Sequence, residues 1–100
     1  MRLGAGLRGV AARLPDLLGL HPRKRHQQVS ELAAELAHAL GEQGRLRQWC
    51  GAIYAALEAE NEQRPGLAQL ALQLERLAVD LAEGAPWRRP GAVLASRLQP

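Results

Sequence analysis

The sequence predicts an all-α fold, a small bundle of three long helices with short helical extensions at both ends. Three observations carry that reading. Leu and Ala supply 37 of the 47 apolar residues. The β-branched and aromatic residues that strands draw on are scarce, with four Val, one Ile, no Phe and no Thr. Apolar residues also recur at three-and-four spacing over three segments bounded by Pro or Gly, the stripe of an amphipathic helix.

Residues 1–20 read as a basic N-terminal arm, helical or partly disordered. Leu7, Val10, Ala11, Leu14, Leu17 and Leu18 offer an apolar side, but Pro15 must kink or divide any helix there. Residues 21–100 read as a single helical domain. Its first helix spans about 23–40, with Val29, Leu32, Ala33, Leu36, Ala37 and Leu40 on one face, Pro22 at its start and Gly41 after its end. Gly41–Gly44 forms a turn. A second helix over about 45–60 carries Leu46, Trp49, Cys50, Ile53 and Leu57, and Pro65-Gly66 ends the polar run behind it. The third, over about 66–83, has the heptad-like seam Leu67, Leu70, Leu74, Leu77 and Leu81, closed by Gly84. After two prolines around Trp87-Arg88-Arg89, a short helix starts at Pro90 with Val93, Leu94 and Leu98 on one side.

Net charge is +3 but unevenly distributed, at +5 over residues 1–26, −5 over 27–83 and +3 over 84–100. A single cysteine, Cys50, forbids an internal disulfide and argues against a secreted disulfide scaffold. No apolar run is long enough to span a bilayer, so a membrane partner is not expected. Arg8 and Arg13 interrupt the start of the chain, so a secretory leader is not expected. The missing Ser and Thr before Ser30 argue against an organellar one, leaving a cytoplasmic protein as the expectation.

Three motifs invite chemistry and fail on context. Gly4-Ala5-Gly6-Leu7-Arg8-Gly9 has dinucleotide-loop spacing but lacks a preceding strand and the acid that belongs about 20 residues on. Glu35-Leu36-Ala37-His38 is half of a di-iron helix pair without a second copy, and it reads as a solvated polar face. Cys50 falls in an apolar stripe, where a thiol behaves as a small hydrophobe. No enzyme, cofactor or metal site is expected.

The informative signals are the basic runs. Arg23-Lys24-Arg25-His26 opens a helix, where cations face the positive end of the helix dipole, so an external anion is one explanation and plain solvation the other. Arg2, Arg8 and Arg13 join that patch if a turn brings them together. Trp87-Arg88-Arg89 places an indole beside two guanidiniums, a combination suited to stacking and phosphate contact, or to a core cap with wet arginines. The expected nucleic-acid contacts are therefore Arg23, Lys24, Arg25, Trp87, Arg88 and Arg89.

Residues 40–98 resemble the helical tail of DnaD-like and replication-initiator proteins of bacteria, plasmids and phages. That tail closes with an Ile-Arg-Asn-Pro-x-Ala-like turn before a last short helix. Trp87 stands in the apolar position, Pro90 and Ala92 match, and Val93-Leu94 supply the apolar pair. Arg89 replaces the capping Asn, the Tyr-x-x-x-Ile-x-x-Trp signature of single-strand binding is absent, and so is the winged-helix module. The resemblance implies a role in replication or plasmid maintenance.

The leading expectation is a non-enzymatic, DNA-associated accessory protein gripping phosphates through its basic ends. Five engaged cations would give a slope of roughly −4 to −5 in log K against log salt. The alternative is a protein–protein interaction module, a homodimer or an adaptor, with charges serving solubility. A third reading, residues 1–26 held at an anionic lipid surface, follows from their basic amphipathic pattern. Whether the two basic ends converge on one face separates the first two.

Overall fold

The computed structural model describes residues 3–84 and 89–98, and among these there is no strand. Helix α1 (Leu3–Arg13) runs into a 3₁₀ segment, Leu14–Gly19, and is followed by α2 (Pro22–Ala39). A 3₁₀ turn, Gln43–Arg45, leads to α3 (Leu46–Asn61), and α4 (Leu67–Ala82) and α5 (Pro90–Leu98) complete the fold. The three long helices lie within one residue of their predicted bounds at each end.

The helix ends explain why. Pro22 occupies the first turn of α2, where a missing N–H costs nothing, and the His21 Nδ1 caps it by accepting the Arg23 N–H at 3.3 Å. At the other end Gly41, at φ +70°, lets its own N–H reach the His38 carbonyl (3.0 Å) and the Glu42 N–H reach that of Ala37 (2.8 Å). That is the Schellman closure. Helix α3 ends with the same pair of bonds, but Gln63 sits in the left-handed region, at φ 61°. Glu60 then turns back over the α3–α4 corner, its Oε1 accepting the N–H groups of Gly66 (3.2 Å) and Leu67 (3.0 Å). A carboxylate at the positive start of α4 satisfies donors the helix cannot.

Helix α4 organises the core. It packs along α1 and also touches α3, α5 and the 3₁₀ segment, while α2 packs on α1 and α3. Leu67, Leu70, Leu74 and Leu77 of the predicted seam are buried inside this bundle, with Leu81 at its edge. The seam is spent within the chain. The N-terminal arm is likewise core rather than appendage, because Leu7, Val10, Leu14 and Leu17 are fully buried. Pro15 is accommodated by the switch from α to 3₁₀ geometry, which places it in the first turn of the new segment.

The α3–α4 corner yields a paired prediction. A Cβ on Gly66 would lie 2.0 Å from the Ala56 carbonyl oxygen and 2.8 Å from the Ala59 Cβ. Gly66→Ala is therefore expected to cost about 1–3 kcal/mol. Gln63→Gly, which removes the penalty of a left-handed side-chain residue, is expected to add about 0.5–1 kcal/mol. Urea unfolding midpoints that shift in the same direction for both variants would contradict this geometry.

Candidate functional site

The residues expected to contact nucleic acid separate into three groups. Arg23 and Lys24 are exposed on the first turn of α2, and their side chains have no partner among the described residues. Arg25 folds back onto the 3₁₀ segment instead. Its Nε donates to the Leu17 carbonyl at 3.0 Å, and its Nη2 to those of Leu18 (3.4 Å) and Leu20 (3.2 Å). It supplies donors to the carbonyls where the segment ends, that of Leu17 also accepting the Leu20 N–H, and that accounts for one of the cations at the start of α2 without any external anion.

Arg89 is also engaged within the chain. Its Nη2 lies 3.2 Å from the Glu42 Oε2, and the Arg45 Nε lies 3.3 Å from the same oxygen. The Glu42 side chain is only 10% exposed, pressed so closely on Gly91 that an added Cβ there would fall 1.6 Å from its Oε1. A nearly buried carboxylate thus faces the first turn of α5 between two guanidiniums, an arrangement that docks the helix. Trp87 and Arg88 lie outside the described residues.

The two basic ends do not converge. Arg25 stands at the start of α2 and Glu42, which holds Arg89, just past its end. Their 17-residue separation, most of it helical, corresponds to about 25 Å. The α1 arginines do not join the patch either. Arg13 pairs with Glu35, about three-quarters of the way along α2, while an added Cβ on Gly6 would lie 3.0 Å from that of Ala39. Helix α1 therefore runs back along α2, with Arg8 level with the far end of α2. Arg45 and Arg47, at the start of α3, share that far end, and the charge runs did not single them out. The signal was the Gly41–Gly44 turn, which lays the beginning of α3 beside the end of α2.

The remaining motifs are absorbed by the fold. The glycine-rich run lies inside α1, where Gly6 allows a close approach to α2. Glu35 pairs with Arg13, and the exposed His38 ring meets the Gln43 amide at 3.1 Å, so both belong to the polar face expected of them. Among the described residues no cluster of His, Cys, Asp and Glu is placed to hold a metal ion. Cys50 is half-buried against the core as a free thiol.

Two features escaped the sequence reading. The Tyr54 hydroxyl on α3 meets the His26 Nδ1 on α2, with ring centroids 5.7 Å apart. The second lies on the outward side of α4. Leu72 and Val79, 40% and 43% exposed, stand seven residues apart on one face. They line a cleft of about 600 Å³ together with Gln73, Glu75, Arg76 and the Asp80–Arg97 ion pair (2.9 Å). Leu18 and Leu46 are exposed as well, but on separate elements. Single exposed leucines are ordinary; an aligned pair beside a cleft is informative.

Partial burial, and secondarily the Cys50 thiolate, push the Tyr54 hydroxyl above its ordinary 10.0. The folded state thus favours the neutral phenol. Its contribution to stability is complete below pH 10 and is lost as pH rises through the folded-state value. Because Tyr54 is the sole tyrosine, tyrosinate absorbance titrates it alone. The expected midpoint lies above 10.0, and Cys50→Ser lowers it; a wild-type midpoint at or below 10.0 contradicts the assignment.

Among the described residues no helix is long and apolar enough to cross a membrane. No protein-family model, no curated protein and no solved structure matches the chain, so its function is read from these surfaces alone.

Proposed function

We propose that the chain is a non-catalytic helical module that works by associating with a second copy of itself through the outward face of α4. The observation that carries this reading is the aligned pair Leu72 and Val79, left exposed on α4 outside a leucine seam whose Leu67, Leu70, Leu74 and Leu77 are buried. Charge supports a copy of the same chain as the occupant. Glu75 and Arg76 flank the apolar pair with opposite signs, and neither has an ion-pair partner among the described residues. A cytoplasmic setting belongs to the same proposal, since a reducing compartment suits the free Cys50 thiol.

Sedimentation of the full chain across a concentration series tests it. Self-association is expected, Leu72→Glu is expected to abolish it, and Leu18→Glu, on a different element, is expected to leave it intact. A wild-type chain that stays monomeric at every concentration overturns the reading.

A second reading, the DNA-associated accessory protein, is favoured by Arg23 and Lys24, two unpaired cations at the positive end of α2. The start of α5 at Pro90 adds to it, since the replication-protein tail that residues 40–98 resemble also closes on a short helix behind a proline. With Arg25 and Arg89 held inside the chain, Arg23 and Lys24 supply about two phosphate contacts for each chain, and their share of the slope of log K against log salt is about −2. Gel retardation of duplex and single-stranded DNA at low salt should show weak binding that Arg23→Ala/Lys24→Ala removes. Binding unaffected by that double substitution contradicts this reading.

A further inference from the structure

We infer that the second copy docks on α4 in parallel, with the two helices related by a two-fold axis running along them. This rests on the self-association reading and adds the direction of the partner. In an α-helix successive residues turn by about 100°. Relative to the line through Leu72 and Val79, which drifts by about 20° over its seven residues, Glu75 falls about 50° to one side and Arg76 about 50° to the other. The apolar line thus has one acidic and one basic edge at nearly the same height.

An axis along the helices exchanges the two edges. Arg76 of one copy then meets the partner's Glu75, and Glu75 the partner's Arg76, while Leu72 packs on Leu72 and Val79 on Val79. In an antiparallel pair the axis is perpendicular to both helices, and each edge faces its own copy. The antiparallel register that packs Leu72 on the partner's Val79 is centred between residues 75 and 76. It sets Arg76 against Arg76 and Glu75 against Glu75, so the charges select against it. The shape of the face agrees with the parallel choice. The Arg76 edge is walled by the Asp80–Arg97 pair, and the Glu75 edge is lowered by the exposed small residues Ala68 and Ala82. Exchange of edges seats wall against flat.

A single helix face is small beside the roughly 800 Å² per partner of a standard interface, so the expected dissociation constant is about 10–100 μM. The full chain is examined by sedimentation equilibrium from well below to well above that range, with circular dichroism on every variant to confirm helicity. Glu75→Arg and Arg76→Glu, each alone, place like charges together and are expected to weaken the dimer about tenfold or more. The combined Glu75→Arg/Arg76→Glu exchange is expected to restore it. In a Cys50→Ala background, Leu72→Cys is expected to give a disulfide-linked dimer on mild oxidation, because only the parallel pair brings the two copies of position 72 together. Absence of any dimer overturns the self-association reading itself. A dimer that withstands both single reversals overturns the parallel register alone. So does one that links Leu72→Cys chains only to Val79→Cys chains.

Discussion

The inner face of α4 is the constraint on which the rest of the fold depends. Leu67, Leu70, Leu74, Leu77 and Ala78 are buried there, and α1, α3, α5 and the 3₁₀ segment all pack against this one helix. With most of its circumference covered, only one strip of α4 faces outward, and what stands on that strip is not dictated by the core. A purely solvated strip would carry polar residues. Leu72 and Val79 on it are therefore the residues the fold does not explain. Side chains of that size gain about 1.5–3 kcal/mol on full burial, and the isolated chain realises only part of it.

The charged residues show the opposite economy, since many are explained by the fold. Helix and 3₁₀ ends leave backbone groups without intrahelical partners, and the chain satisfies several of these with long side chains from elsewhere. Arg25 donates to two carbonyls of the 3₁₀ segment and to that of Leu20 just past it, and Glu60 caps two N–H groups at the start of α4. Glu42 couples the end of α2 to the start of α5 through Arg89, and Asp80 couples α4 to the last turn of α5 through Arg97. A run of arginines in a small helical protein is thus partly a set of staples. Its length overstates the charge available to a ligand.

That is also the dividing line between what the sequence made legible and what it did not. Periodicity located α2, α3 and α4 to within a residue because Pro22, Gly41 and Pro65-Gly66 carry local backbone preferences that need no tertiary information. The burial of residues 7–17 was obscured by Pro15, which breaks the α pattern without breaking the path of the chain. The pairing of Arg89 with Glu42 spans 47 residues, and no local pattern announces it. The outward pair on α4 was hidden for a different reason. It shares a segment with a stronger leucine stripe, and a reading that seeks one apolar face per helix stops at the first. The separation of the basic ends became visible only once helix directions were known.

Those directions bear on how the two functional readings relate. His26 on α2 meets Tyr54 on α3, and α3 turns into α4 through the tight corner at Gly66, so α2 and α4 run the same way, each opposed to α3. The start of α2 and the start of α4 consequently occupy the same end of the bundle. A parallel pair joined along α4 presents both copies of Arg23 and Lys24 at that one end, whereas an antiparallel pair sends them to opposite ends. Two of the acids at that end are already engaged, Glu60 on backbone donors and Glu62 on Arg64. Asp16, which shares a cleft with Lys24, and the exposed Glu58 stand at that end too, so joining two chains doubles the unpaired cations and these acids together. Salt dependence scales with the number of phosphates neutralised, so a dimer that grips one polyanion with both chains has about twice the slope of a monomer. Under the two proposed readings, self-association and polyanion contact are one arrangement seen at two levels. The register of α4 determines whether two cations or four act together.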